Sequence, residues 1–286
     1  MLKNNLSVKI SLIDIWLHKL PPLGKLCRSI VSRLCHRLAG KLLITSLCCV
    51  PTFVSALPLF TVHASAHLWE PDLGGSIGQT TNAFDFSSEF GESEGTGNSL
   101  LVALEHPVPL IPNFQLRQTP LTWQGMSESA SGTLLGTVTV SGELDAELEL
   151  DLLDGTVYYE ILDNWVTLDL GVTARQLSGF FAARDISGLS DRVEVEQIIP
   201  MGYAHARFDL PFTGLAAGLR GNGIAVQDSN LLDLEAYLHL EIDLLPLVDV
   251  GVQGGLRRMT LQIDDIDNWN SDATLDGAYI GLTAQF

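Results

Sequence analysis

The chain has 286 residues, with 34 acidic against 16 basic side chains and a formal net charge of −18. Nucleic acid and anionic membrane faces are poor partners for such a charge. All four cysteines and all lysines precede residue 50, so the rest of the chain has neither disulfide staples nor thiol chemistry.

The N-terminal stretch is basic from Lys3 to Lys41, then uncharged from Leu42 to Phe60, then carries Ala64-Ser65-Ala66. That is the order of a secretory signal: basic region, apolar region, small-residue cleavage site. Pro51 and Pro58 interrupt the apolar run and no positive stop follows it, which disfavours a transmembrane anchor. Cys48 and Cys49 lack the small residue that a lipobox places before its cysteine. The expected division is a cleaved signal with an extended basic region at 1–66 and one folded unit at 67–286.

Beyond residue 66 no run of about twenty apolar residues occurs, and no helical stripe is sustained. Period two recurs instead, in Trp165–Arg175, Leu232–Asp243, Leu247–Gln253 and Ala278–Phe286. In the second of these Leu232, Leu234, Ala236, Leu238, Leu240 and Ile242 share one face, while Asp233, Glu235, Tyr237, His239, Glu241 and Asp243 share the other. A soluble β-sandwich alternates too, but ten or more alternating residues suit a strand tilted across a bilayer.

Turn chemistry places short connections at His106–Asn113, Ile161–Asn164, Pro211–Gly214 and Leu245–Pro246. Longer polar connections are expected near 79–98, 122–146, 183–192, 226–231 and 264–273. Short and long alternate, as in bacterial barrels with periplasmic turns and extracellular loops. The pattern predicts an all-β, transmembrane, antiparallel up-and-down β-barrel of ten strands, or eight if the first pair or residues 130–150 are not strands. Trp69, Trp123, Tyr159, Trp165, Phe208 and Trp269 fit an aromatic girdle at the membrane interfaces.

Three stretches, Glu105–Asn113, Tyr158–Gly171 and Phe208–Ile224, resemble in order a family of small outer-membrane β-barrel proteins of Gram-negative bacteria. The resemblance implies a barrel in the cell outer membrane and no particular activity. The first strand departs from that family's run of small apolar residues, because Leu68–Gly75 carries Glu70, Pro71 and Asp72. Pro71 removes a ladder donor and should weaken pairing there. The apolar face that ends at Phe286 resembles the signal read by barrel-assembly machinery.

With the apolar face on lipid, the polar face becomes the lumen. That predicts Glu105, Arg117, Glu160, Asp169, Arg175, His205, Arg207, Asp209, Arg220, Glu235, His239, Glu241 and Asp249 inside. A barrel of this size is filled by its own side chains, so these charges are expected to pair across a plugged lumen. A narrow passive pore for small solutes is the alternative reading, and a barrel enzyme acting on lipid or peptide at the outer surface the third. No Ser, His and acid spacing marks a catalytic set. The carboxylates Asp264, Asp265, Asp267 and Asp272 are weak surface ligands for Ca²⁺ or Mg²⁺, and no other cofactor is implied. Expected partners are outer-membrane lipid, lipopolysaccharide and the assembly machinery, in a structural or surface-interaction role.

Overall fold

The computed structural model describes residues 7–9 and 60–286, apart from 80–81, 87–89, 91, 109, 135–137, 186–189, 227–228, 246–247 and 267–268. A short strand β1 (Ser7–Lys9) lies parallel to Arg192–Glu194. The remaining strands are β2 (Thr61–Trp69), β3 (Asp72–Gln79), β4 (Asn82–Asp85), β5 (Glu92–Glu105), β6 (Asn113–Leu134), β7 (Val138–Asp163), β8 (Val166–Asp185), β9 (Ser190–Asp209), β10 (Leu215–Val226), β11 (Ser229–Leu245), β12 (Val248–Ile266) and β13 (Trp269–Gln285).

From β5 to β13 each strand pairs antiparallel with the next, and β13 returns to β2 and β3, which together act as one strand. The ladder therefore closes as a ten-stranded antiparallel barrel. Closure leaves no unpaired edge, which a membrane core would not tolerate. Phe286 completes the seam: its N–H donates to the Val62 carbonyl at 3.0 Å, and its carbonyl accepts from the Val62 N–H at 3.2 Å.

The break between β2 and β3 falls at Glu70–Pro71, where proline has no N–H to contribute. Strand one nevertheless begins upstream of the expected cleavage site. Ala64, Ser65 and Ala66 pair with Val102, Leu101 and Leu100 on one side and with Ala284, Thr283 and Leu282 on the other. A cut after Ala66 would remove two-thirds of β2, so the barrel's own start lies at Thr61.

The five long polar connections expected from the sequence are mostly strand. β6 and β7 meet across 135–137, β10 and β11 across 227–228, and β12 and β13 across 267–268, so the connections are short at both ends. β7 reaches 26 residues, far beyond the 9–11 or so that cross a bilayer.

A lipid-facing belt surrounds the end that carries Thr61, Phe286 and the turns near Val108, Asn164 and Phe212, here the turn end. Leu68, Val102, Leu116, Val157, Val172, Leu219, Leu238, Leu256, Ile280 and Leu282 all point outward and are exposed. Tyr159, Trp165 and Phe208 lie on this outer surface, the last two with ring centroids 6.3 Å apart. Trp69 and Trp123 do not join them. Both point inward and are almost completely buried, because odd positions of β2 and β6 face the lumen. The side chain of Trp269 lies outside the described residues.

Candidate functional site

The inner wall divides into three levels, set by what alternation delivers at each height. At the end opposite the turns, odd positions of β6 and even positions of β7 bring Leu121, Trp123, Leu144, Ala146 and Leu152 inside. Phe86 and Phe90, from the connection after β4, join them. Phe90 meets the Trp123 ring edge-on at 5.2 Å, and Phe86 meets Phe181 at 5.8 Å. With Leu73, Met201, Met259 and Leu275 they form one continuous buried cluster. Each fully buried side chain of this size contributes about 1.5–3 kcal/mol.

Beneath this cluster lies a layer of buried charge. Asp154 accepts both Nε and Nη2 of Arg175 at 2.7 Å, a bidentate pair from neighbouring strands. Arg175 Nη2 also donates to Asp233 at 2.6 Å, and Arg257 Nε and Nη2 donate to the same carboxylate at 3.0 and 2.8 Å. Arg117 Nη1 donates to Glu235 at 2.7 Å, with Arg220 Nη1 3.8 Å from the other oxygen of that carboxylate. β6 and β11 stand on opposite walls, so the Arg117–Glu235 bond spans the lumen. Arg257 also lies 4.7 Å above the Trp69 ring, tying the charged layer to the apolar one. Charges at this depth persist only when paired on all sides, and here each carboxylate serves two arginines or one arginine twice.

The third level is a cavity of about 600 Å³ at the turn end. Its inner end is formed by Asp169, His205 and Tyr237. His205 Nδ1 lies 2.7 Å from Asp169 Oδ2, and its Nε2 lies 2.7 Å from the Tyr237 hydroxyl. An ionised carboxylate only accepts, so Nδ1 carries the proton. Glycine makes room for these rings. A Cβ on Gly218 would lie 2.2 Å from Tyr237 Cζ, and one on Gly251 would lie 2.3 Å from His239 Nε2. Nearer the mouth, Glu105 is bonded by His63 Nε2 at 2.7 Å and by the Tyr158 hydroxyl at 2.8 Å. Arg207 is held by Asp209 at 2.8 Å.

The thirteen polar-face residues expected inside are thus distributed over two levels. Arg117, Arg175 and Glu235 belong to the charged layer, with Arg220 between it and the cavity. Glu105, Glu160, Asp169, His205, Arg207, Asp209, His239, Glu241 and Asp249 line the cavity. Absent from that set are Asp154, Asp233, Arg257 and His63, the first three being central to the network. Asp233 already shared a face with Glu235. Arg257 is followed by Arg258, and only counting in twos from Asp249 along β12 shows which of the two turns inward. Asp154 lies where β7 changes from acidic residues outside to acidic residues inside.

Of the candidate surface ligands, Asp272 is exposed on β13, the side chains of Asp264 and Asp265 are not among those described, and Asp267 lies outside the described residues. Among the described residues, no three His, Cys, Asp or Glu side chains converge to hold a metal ion.

No protein-family model matches the chain, and no curated protein matches it. Solved structures do. It is similar to the outer membrane protease OmpT from Escherichia coli, with a TM-score of 0.45 and 10% identity over 79% of this chain and 97% of that one. It is also similar to the transport unit of the autotransporter AIDA-I from Escherichia coli, with a TM-score of 0.38 and 8% identity over 89% and 96% of the two chains. A third is the translocator domain of the autotransporter NalP from Neisseria meningitidis, with a TM-score of 0.36 and 10% identity over 91% and 95%. The chain itself is a closed antiparallel barrel of ten strands.

Proposed function

We propose that this chain is a plugged barrel of a bacterial outer membrane, exported by its N-terminal signal, with a structural or interaction role rather than a conducting or catalytic one. The turn end faces the periplasm, and the far ends of the strands project from the outer surface among lipopolysaccharide. Phe286, at the closing seam, is the residue that the assembly machinery reads.

The observation that carries this reading is the Arg117–Glu235 bond across the lumen, set within the Asp154–Arg175–Asp233–Arg257 network and capped by the Phe86, Phe90 and Trp123 cluster. A solute path would have to break several buried ion pairs at once. The carboxylate–imidazole–hydroxyl chain Asp169–His205–Tyr237 has the order of a catalytic relay, yet it ends on the phenol of a buried tyrosine, in place of the serine, threonine or cysteine such a relay activates. None of the histidines in the sequence lies between residues 107 and 204, so β6, β7 and β8 bring none to the far rim.

Planar-bilayer recording tests the reading. Folded protein should incorporate without stable current steps, whereas a Phe90→Ala, Arg117→Ala double variant should show intermittent ones. Steady stepwise conductance from the unaltered chain would establish the narrow pore instead.

A further inference from the structure

We propose that the edge of β9 in the far half of the barrel is a docking site for an extended peptide of alternating apolar and basic residues, which adds to the sheet as a strand parallel to β9.

Where the ladder crosses the bilayer, β9 is paired on both sides. Further out it is not. It pairs with β8 from Ser190 to Phe208, but with β10 only between Gly202 and Asp209. β10 stops at Val226, shortly after Gly223, its partner for Gly202. Among the described residues, no strand of the barrel therefore lies on that side of Ser190–Met201. Pro200, which has no N–H to give a ladder, stands at the start of this stretch, and proline in sheets belongs to edge strands. An open edge of such length is a template for another strand. It is tolerated here because Glu194 and Glu196 are exposed to water, beyond the lipid-facing belt.

A second observation shows what the edge accepts. β1 is seated on it in parallel register, with Ser7, Val8 and Lys9 opposite Arg192, Val193 and Glu194. The occupant is extended, and the register sets a basic residue against an acidic one. In strand addition the main chain supplies affinity and alternate side chains supply specificity. Alternate positions of β9 differ accordingly. Glu194 and Glu196 are exposed, whereas Gln197 is buried and Ile199 packs on the apolar cluster. Arg192 lies over the Phe180 ring at 3.5 Å and reaches Glu194 at 3.6 Å, which leaves Glu196 without an ion pair among the described residues.

β1 lies upstream of Thr61, in the stretch read as the export signal, so the exported barrel leaves this edge to another chain. A second copy fits it neither way. Antiparallel pairing of β9 with β9 would turn one barrel upside down in the membrane, and parallel pairing would set Glu194 and Glu196 against their own counterparts. The site gives the interaction role proposed above a partner, and rests on that role. Steady conductance would overturn the role without touching the edge, which a peptide titration reads by itself.

The probe is a fluorescein-labelled peptide of residues 4–11, Asn-Asn-Leu-Ser-Val-Lys-Ile-Ser, followed by anisotropy as the barrel isolated from outer membranes is added in detergent at fixed ionic strength. It should bind saturably, with one equivalent. Glu194→Lys should weaken binding by about fivefold or more, and a peptide carrying Lys9→Glu should recover it. Ser11→Lys in the peptide, opposite Glu196 in the same register, should tighten binding by about two- to fivefold. Glu147→Lys, outward on β7 and away from the edge, should leave it unchanged. No binding, an equal loss from Glu147→Lys, no recovery with the charge-swapped peptide, or equal binding of a peptide methylated on its backbone nitrogens would each overturn the proposal.

Discussion

The two ends of a single strand, β7, obey opposite rules. From Leu144 to Leu152 its inward residues are Leu144, Ala146, Leu148, Leu150 and Leu152, and its outward ones are Asp145, Glu147, Glu149 and Asp151. Two residues further on the arrangement inverts. Asp154, Thr156 and Tyr158 face inward, while Leu153, Val157, Tyr159 and Ile161 face outward. The period is two throughout, and only the phase changes. A strand in water hides its apolar face inside the barrel, and a strand in lipid turns that face outward. The other strands change over at comparable points, as where outward Leu256 gives way to Arg258 on β12 and outward Ala278 to Asp276 on β13. The molecule is therefore a soluble-type barrel stacked on a membrane-type barrel and built from the same strands, and the charged layer lies where the two meet.

Removing residues 61–66 from the membrane half should have the largest effect. A chain starting at His67 loses the pairing of β2 with Leu100–Glu105 and with Leu282–Gln285, and should show no heat-dependent mobility shift in SDS. N-terminal sequencing of the outer-membrane protein should accordingly find a start upstream of Thr61. Asp233→Ala comes next, since it takes from Arg175 one of its two carboxylates and from Arg257 the one carboxylate it bonds among the described residues. It should destabilise the barrel by about 3–5 kcal/mol in urea unfolding.

Leu238→Arg and Glu147→Arg probe the phase inversion itself, because both residues point outward. The first, on lipid, should lower stability by about 2–4 kcal/mol, and the second, in water, by no more than about 0.5 kcal/mol. Similar losses for both would mean that the belt has been placed wrongly. Arg258→Ala should do least, since its 3.5 Å pair with Asp276 is solvent-exposed. Such pairs contribute about 0–1 kcal/mol, and a larger shift in the urea midpoint would show that the belt extends past Leu256.

Strand number, closure and the inward set from Glu105 to Asp249 were legible because alternation in the membrane half is regular and its turns carry proline, asparagine and glycine. The far half was not. Residues 122–146 read as a polar connection when charge is weighed by itself, although Leu144 and Ala146 open the strict alternation that continues through Leu152 with Asp145, Glu147, Glu149 and Asp151 outside. Trp69 and Trp123 were misplaced for the same reason. A tryptophan near a strand end suggests a girdle only if the strand stops at the interface, and these strands continue. The cross-lumen partners of Arg117 and Arg175 could not be read at all, because they depend on how ten strands stagger around the closed ladder.

The inversion on β7 is tested most directly by nitroxide labelling. The four cysteines all lie before residue 50, so with these changed to serine, single cysteines at Val157 and Glu147 can each be labelled in reconstituted bilayers and their relaxation by oxygen and by a water-soluble nickel chelate compared. The two-part barrel predicts that the label at 157 responds to oxygen and is shielded from nickel, with the reverse at 147. The same response at both sites, whether lipid-like or water-like, would contradict it.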